Sequence, residues 1–251
     1  MNPILLYPLG ITDSCHYACR FAEQAGLSLT DHPSPEVTHL LLDIPSWDPL
    51  GFLRNGSDLK ELLRMLPKDI TLIGGRLDRD FLQGYRTLDL LQDPQFLAKN
   101  AAITAECALQ AAAPHLTGTF AESPALILGW GRIGKCLARL LSAMGCPVTV
   151  AARKESDRAM LEALGYRAVD FSRIPQILCR CRILFNTVPD LSIHSSLSDL
   201  WKNGIALDLA SEPGLKGIPV ISARGLPGKY APESAGRLIA DTILRTVNPI
   251  S

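Results

Sequence analysis

The chain has 251 residues, and 47% of them are hydrophobic, which suffices for one large or two small globular domains with buried cores. Its 25 Lys and Arg residues balance its 25 Asp and Glu residues. Zero net charge, without a basic stripe or a basic amphipathic helix, argues against nucleic-acid and membrane-surface partners. The N-terminal stretch MNPILLYPLG has neither the basic region of a signal peptide nor a long apolar run, so we expect a cytoplasmic protein.

Seven cysteines are spread along the chain without the paired CxxC spacing of a zinc site. We therefore predict reduced thiols in the core and no metal site. These cysteines are Cys15, Cys19, Cys107, Cys136, Cys146, Cys179 and Cys181.

Short apolar runs alternate with amphipathic segments over the first hundred residues, which is typical of a parallel sheet. The pattern predicts a small flavodoxin-like α/β domain over residues 1–100, on the substrate side of the molecule. Its predicted elements are a strand at 4–7, a helix at 15–26, a strand at 39–43, a helix at 57–66 capped by Ser57, a strand at 70–73 and a short strand at 85–89.

The alanine-rich stretch KNAAITAECALQAAAPHLTG predicts a linking helix over residues 101–118, at the boundary between two domains. Thr104 is the expected N-terminal cap of this helix. Glu106 would then lie in the first turn, either as a partner of the helix dipole or as an acid in a cleft.

The remaining residues predict a doubly wound, parallel-sheet Rossmann domain over 119–231, followed by a C-terminal segment, 232–251. Pro232 suits the first turn of the last helix. The predicted elements are strands at 125–128, 147–151, 166–169, 182–188, 205–209 and 219–222, and helices at 132–144, 155–164, 172–179 and 232–247.

A glycine motif, GxGxxG, stands between the first strand and first helix of this second domain. Gly129 permits the tight turn, Gly131 lets the backbone approach a pyrophosphate, and Gly134 allows close packing of helix on strand. The N–H groups at the start of the helix favour bound phosphates. The alternative is a strand-to-helix turn that binds no ligand.

Arg153 ends the second strand of the domain, close to the position at which NAD-binding domains carry an acid. A carboxylate there would repel a 2′-phosphate, whereas a guanidinium can bind one with paired hydrogen bonds. Lys154 and Ser156 are placed to assist. The sequence thus predicts NADP over NAD, unless Arg153 stacks on adenine without distinguishing the two.

Two later loops follow the fourth and fifth strands, where doubly wound folds bind their ligands. We expect Thr187, Val188 and Pro189 on the first loop, with Asp208 and Leu209 on the second, to line the nicotinamide ribose and ring. Asp208 is alternatively the cap of a loop that contacts no ligand.

The segment ARGLPGKYAPESAG, residues 223–236, contains two glycine turns before a helix start. Lys229 and Ser234 there, and Thr104 at the linking helix, suggest a cleft that binds a small dianion. The alternative is ordinary loops and caps. The five histidines form no triad. His194, just past the nicotinamide-side loop, is a candidate but is more typical of a surface residue, so the catalytic residues are unknown.

Several stretches resemble the A subunit of dipicolinate synthase, namely LGWGRIGKCLARLLSAMG, VAARK, ILFNTVPDL, ALDLASEPG and, most specifically, GLPGKYAPESAG. The resemblance implies an NADP-linked dehydrogenase acting on a CH–CH bond, which forms dipicolinate from a dihydro- or hydroxytetrahydrodipicolinate in a sporulating bacterium. It also implies a flavoprotein-like B subunit, and we expect a homo-oligomer, a dimer.

The same resemblance implies roles for individual residues. Gly129, Gly131, Arg132 and Ile133 would hold the pyrophosphate, Arg153 the 2′-phosphate, and Thr187, Val188 and Pro189 would flank the nicotinamide ribose. Apart from the resemblance, the predicted cofactor site also includes Trp130, Gly134 and Lys154. The substrate-facing residues would be Leu226, Pro227, Gly228, Lys229 and Ala231.

The N-terminal domain departs from this family, because it is shorter and carries Gly74-Gly75-Arg76 in place of a segment richer in Ser and Asn. Arg76 is either a new clamp for a substrate carboxylate or a solvated side chain. The departure leaves open a different substrate or a lost activity.

Two other functions compete with this one. The linking helix and glycine loop also resemble D-2-hydroxyacid dehydrogenases, but the loop after the fifth strand reads ALDLASEPG and no histidine follows His194. A non-catalytic NADP-binding module is the other alternative, because no acid–base pair stands out.

Overall fold

The computed structural model describes residues 4–189, 200–201, 204–212, 214–215 and 217–247. The chain divides into two compact units. The first comprises Met1–Asn100 and Pro227–Ser251, and the second comprises Ala101–Leu226. The C-terminal helix, which was predicted as a segment apart from both domains, therefore packs within the first unit.

The strands are β1 (Leu5–Pro8), β2 (Ser28–Leu29), β3 (His39–Leu41), β4 (Thr71–Gly74), β5 (Arg86–Asp89), β6 (Ala125–Leu128), β7 (Val148–Ala151), β8 (Arg167–Val169), β9 (Ile183–Asn186), β10 (Ile205–Asp208) and β11 (Ile221–Ser222). The α-helices are α1 (Asp13–Gln24), α2 (Leu59–Met65), α3 (Pro94–Ala112), α4 (Arg132–Ala143), α5 (Glu155–Ala163), α6 (Ile174–Leu178), α7 (Leu226–Tyr230) and α8 (Pro232–Val247).

The sheet of the first unit has the strand order β2-β1-β3-β4-β5, and its paired strands are parallel. This is the flavodoxin-like order, so the predicted fold is confirmed. Strand β2 was not predicted, because its two residues are too few to show a periodic pattern. Leucine-rich side chains of β3, β4 and α2 form the core of this unit.

Close helix packing joins α1 to α8 within the first unit. A Cβ atom added at Gly236 would overlap Tyr17 and crowd the backbone of Ser14 and Ala18. Because glycine allows the two helix backbones to approach each other here, the C-terminal helix becomes part of the N-terminal fold.

Two predicted helix starts were wrong. Asp58, not Ser57, caps α2, since its side chain accepts a hydrogen bond of 2.8 Å from the Lys60 N–H. The linking helix begins at Pro94, earlier than predicted, which places Thr104 in the helix interior, 8% exposed. Thr104 is therefore no cap, and Glu106 does not lie in the first turn.

The second unit contains a sheet of order β11-β10-β9-β6-β7-β8 with parallel pairing throughout. This is the doubly wound Rossmann order, as predicted. The central strand β6 is buried along its whole length, and the order reverses beside it. The loop from β6 to α4 therefore emerges where folds of this class bind their ligands. Within the described ranges, no helix combines the length and the apolar character that crossing a bilayer needs.

Candidate functional site

The glycine loop joins β6 to α4 and contacts the end of β9. Gly129 has φ 101°, a conformation that other residues rarely adopt. A Cβ atom there would come within 2.6 Å of the Thr187 hydroxyl oxygen and of a Val188 methyl group. A Cβ atom at Gly134 would overlap the carbonyl oxygen of Gly129. Packing thus requires glycine at both positions.

Gly131 has a different role, because a Cβ atom at this position would meet no atom of the described residues within 4 Å, apart from its own chain neighbours. Gly131 is the N-cap of α4, and no side chain in the described part of the chain caps the helix. The uncapped N–H groups of a twelve-residue helix therefore border open space. This arrangement fits the diphosphate of a nicotinamide dinucleotide.

The Trp130 side chain lies beside Tyr166 and Lys135, and its contact with a cofactor stays a prediction. Its indole lies 5.8 Å from the Tyr166 ring, and the Lys135 ammonium lies 5.7 Å from the indole. Only the Trp130 backbone belongs to the glycine loop. Of the neighbouring predicted residues, Arg132 is exposed and Ile133 is half-buried.

Arg153 follows the carboxyl end of β7 and has an exposed side chain. Its guanidinium lies 5.3 Å from the centre of the Phe171 ring, a cation–π contact that leaves its edge free for an anion. Among the described residues, no ion pair involves Arg153. Lys154, also exposed, is the N-cap residue of α5. The end of β7 is therefore positive and unneutralised.

Arg158 stabilises the carboxyl end of β7, a role that was not predicted from the sequence. Its Nη1 donates to the carbonyl oxygens of Ala152 at 2.9 Å and Arg153 at 2.7 Å, and to the Asp170 carboxylate at 3.1 Å. The backbone N–H of Ser172, aided by Arg158, holds the pKa of Asp170 below its ordinary value. In the sequence, the only signal for this role is the position of Arg158, one turn into α5, the helix that follows β7.

The two later loops are joined by a buried pair of side chains. Asn186, fully buried, donates from Nδ2 to Asp208 Oδ1 at 2.9 Å and to the Val188 carbonyl oxygen at 3.0 Å. Thr187 donates from Oγ1 to the Leu128 carbonyl oxygen at 2.8 Å. Predicted loop residues after β9 therefore lie against the glycine loop.

The Asp208 carboxylate accepts hydrogen bonds from groups of the protein itself. Besides Asn186, it accepts hydrogen bonds from the N–H groups of Ala210, Gly214 and Leu215, at 2.7 to 3.2 Å. It is 8% exposed, and Leu209 beside it is 7% exposed. Of the two alternatives, this geometry favours the loop anchor, and contact of Asp208 with a cofactor stays a prediction.

Arg76 stands at the carboxyl end of β4, in the first unit, with the left-handed φ of 64°. Four hydrogen bonds hold the backbone of Arg76 and its two neighbours: Trp47 Nε1 donates to the Arg76 carbonyl at 2.7 Å, Ser46 exchanges two bonds with Gly75, and Asp89 accepts from the Leu77 N–H. The Arg76 side chain is exposed and forms none of the ion pairs of the described residues.

The remaining predicted substrate residues lie around α7. The segment Leu226–Tyr230, expected to be a glycine turn, is a short helix, which its Pro and Gly obscured in the sequence. Leu226 is buried, whereas Lys229 is exposed, with its ammonium 5.4 Å from the Tyr230 ring. Pro227 and Ala231 are half-buried, and Gly228 and Ser234 are exposed. Contact of these residues with a substrate carboxylate stays a prediction.

The catalytic residue remains unassigned. His194 lies outside the described residues. Within the described part of the chain, no three or more His, Cys, Asp or Glu residues are grouped to hold a metal ion. The seven cysteines are all free thiols, three of them buried.

Known proteins are similar to parts of this sequence. Residues 97–195 match the family described as D-isomer specific 2-hydroxyacid dehydrogenase, NAD binding domain. The A subunit of dipicolinate synthase from Bacillus subtilis (strain 168) is 30% identical over 160 residues, which are 60% of this chain and 54% of that protein. The matched stretch thus spans about half the length of this relative.

Two solved structures share the fold. The A subunit of dipicolinate synthase from Bacillus halodurans superposes with a TM-score of 0.86 at 22% identity, covering 99% of both chains. The corresponding structure from Bacillus subtilis gives 0.83 at 20% identity, covering 100% of this chain and 97% of the other. The resemblance drawn from the sequence is thereby confirmed: over 160 residues the chain is similar to the dipicolinate synthase A subunit, and residues 97–195 are similar to the NAD binding domain of D-isomer specific 2-hydroxyacid dehydrogenases.

Proposed function

We propose that the chain is an NADP-dependent oxidoreductase that oxidises a dihydrodipicolinate-type cyclic dicarboxylate to dipicolinate, acting on a CH–CH bond. Homology to the dipicolinate synthase A subunit supports the reaction class. The glycine loop, with open space at Gly131 beside uncapped helix N–H groups, supports a bound dinucleotide.

The observation that carries the cofactor preference is the unneutralised arginine at the end of β7. Arg153 is exposed, free of ion pairs among the described residues, and held by stacking on Phe171. A 2′-phosphate would gain charge-assisted hydrogen bonds there, whereas NADH offers only hydroxyl groups.

When bound, NADP would supply the hydride acceptor. The chain's own residues would bind and orient it: the N–H groups of the glycine loop and α4 at the diphosphate, Arg153 with Lys154 at the 2′-phosphate, and Thr187 with Val188 at the nicotinamide ribose.

For the substrate, Arg76 is the candidate that the geometry supports best. A left-handed non-glycine residue costs roughly 1–2 kcal/mol, and such strain concentrates at ligand-binding positions. The surrounding hydrogen bonds hold the strained backbone in place, which fixes the direction of the Arg76 Cα–Cβ bond. Lys229 and Ser234 are further candidates.

The remaining parts of the proposal are expectations drawn from the sequence alone. They are a homodimer, a flavoprotein-like B subunit, and a role in the cytoplasm of a sporulating cell.

A second candidate function is the oxidation of a 2-hydroxy acid, which the match of residues 97–195 to the D-2-hydroxyacid dehydrogenase family favours. That match covers the dinucleotide domain and not the substrate side of the molecule.

A product assay tests these proposals. Dihydrodipicolinate is generated enzymatically, the purified chain and NADP are added, and dipicolinate and NADPH are followed by absorbance. We expect dipicolinate and NADPH to rise together. We expect the Arg76→Gln substitution to raise KM for the dicarboxylate more than it lowers kcat. Turnover of 2-hydroxy acids instead would favour the second candidate, and NADPH binding without any turnover would reduce the chain to a binding module.

A further inference from the structure

A groove on the surface of the second unit lies between α4 and α5, and the proposed dinucleotide site does not use it. Its volume is about 380 Å³, inside the range of roughly 300–1,000 Å³ that is typical of small-molecule sites. The lining residues are Trp130, Lys135, Arg139, Met160, Leu164 and Tyr166.

Most of the groove is apolar. Met160 on α5 and Leu164, the C-cap residue of this helix, stand four residues apart and are 56% and 58% exposed. Trp130 and Tyr166, both half-buried, lie beside them with their rings inclined at 59°. Large apolar side chains left in water beside an indole favour a flat, apolar ligand.

The α4 side of the groove is cationic. Lys135 and Arg139 stand one turn apart on this helix, and both are exposed. Neither belongs to an ion pair of the described residues, and no acid lines the groove. Two unneutralised cations beside an apolar surface complement a ligand that combines a ring with a negative charge.

We propose that this groove is a second ligand site, which binds a planar aromatic carboxylate. The ring lies against Trp130, Met160 and Leu164, and the carboxylate is bound by Lys135 and Arg139. The proposal does not depend on the proposed reaction. Because the Trp130 backbone belongs to the glycine loop, this tryptophan reports on the groove from a position next to the dinucleotide site.

Nuclear magnetic resonance of the full ¹⁵N-labelled chain tests the site through the indole N–H signals of its three tryptophans. The Trp130 signal is assigned with W130F. The probe is 2-naphthoate, and its control is 2-naphthamide, a neutral molecule of the same shape. We expect 2-naphthoate to shift the Trp130 signal saturably, with or without NADPH, and the amide to bind about fivefold more weakly, as the loss of an exposed charge interaction implies.

A matched pair of double variants tests whether Lys135 and Arg139 bind the carboxylate. Replacing Lys135 and Arg139 with Gln should weaken 2-naphthoate binding about fivefold or more. Replacing the exposed Lys99 and Arg20 of the first unit with Gln removes the same charges and should leave the affinity unchanged.

Three results would overturn the proposal. One is equal affinity for the acid and the amide, or for the parent and the K135Q/R139Q variant. Another is displacement of 2-naphthoate by NADPH, which would place the probe in the dinucleotide site. The third is a Trp130 signal that moves with protein concentration and ignores the probe, which would assign the groove to a second copy of the chain.

Discussion

The Asn186 side-chain amide donates to Oδ1 of Asp208 over 2.9 Å, and this buried bond joins the carboxyl ends of β9 and β10. Both loops predicted to contact the nicotinamide half of the cofactor begin at this pair. The pair shapes the site from within the protein, since Asp208 is surrounded by donors from its own loop.

Replacement of Asp208 by Ala should lower the free energy of unfolding by about 2–4 kcal/mol, because it leaves several buried N–H donors without an acceptor. Urea denaturation measures this loss. Glu162→Ala, at an exposed position of the same unit, is the control and should change stability by less than about 0.5 kcal/mol. Unchanged stability in Asp208→Ala would refute the anchoring role.

The glycine loop offers a pair of substitutions with opposite outcomes. Gly131→Ala should keep stability within about 1 kcal/mol, because its Cβ meets open space. It should weaken dinucleotide binding at least about tenfold, since the methyl group occupies the approach of the diphosphate. Gly134→Ala should instead destabilise the fold, by about 1–3 kcal/mol, through overlap with Gly129.

Calorimetric titration and thermal unfolding of the two variants separate these effects. Tight dinucleotide binding by Gly131→Ala would mean that the diphosphate does not approach this glycine.

Arg158 should act as a positioning residue for the 2′-phosphate site. Arg158→Ala removes the donor that holds the carbonyl groups of Ala152 and Arg153, so NADPH affinity should fall about fivefold and NADH affinity should change less. Arg158→Lys should restore part of the preference. Arg180→Ala, in an exposed loop of the same unit, is the control. Equal losses for NADPH and NADH would indicate a purely structural role.

The pair of Asp93 and Arg245 predicts a pH dependence of stability. Asp93 accepts a hydrogen bond of 2.7 Å from the Phe96 N–H at the start of α3, and Arg245 donates to it at 2.6 Å from α8. These contacts, the Phe96 N–H first, lower the pKa of Asp93. Asp93 therefore binds a proton less readily in the native state than in the unfolded state. Its contribution to the free energy of unfolding is fully present above the unfolded pKa of about 3.9, and it is lost as the pH falls through the lower pKa of the folded state.

Asp93→Asn keeps a cap at α3 and removes the ion pair, so it should cost about 0.5–1 kcal/mol at pH 7. The difference from the parent should shrink as the pH falls below about 4. Denaturation at a series of pH values measures this, and a difference that stays constant down to pH 2.5 would contradict it.

The sequence predicted what depends on repeated patterns. Apolar runs flanked by amphipathic helices predicted both parallel sheets, and the spacing of Gly129, Gly131 and Gly134 predicted a strand-to-helix turn where the structure has one. Features set by one or two residues escaped prediction. The two-residue strand β2 has no period, and α7 carries Pro and Gly, which usually interrupt helices.

Tertiary contacts account for the other differences. Ser57 and Asp58 are both good caps, and only the three-dimensional path of the chain selects Asp58. The packing of α8 on α1, and the hydrogen bond from Asn186 to Asp208, depend on residues far apart in sequence. Arg158 was missed for a different reason, since two of its partners are the backbone carbonyl groups of Ala152 and Arg153, which no side-chain motif marks in the sequence.

The proposed selection of NADP by Arg153 is tested by titrating the chain with NADPH and with NADH at matched salt. We expect the parent chain to bind NADPH at least about tenfold more tightly than NADH, since one charge-assisted hydrogen bond contributes about this much. Arg153→Ala should abolish the preference by weakening NADPH alone, while Arg64→Ala, exposed in the first unit, should leave it intact. Equal affinities of the parent chain for NADPH and NADH, or a preference that survives Arg153→Ala, would contradict the account.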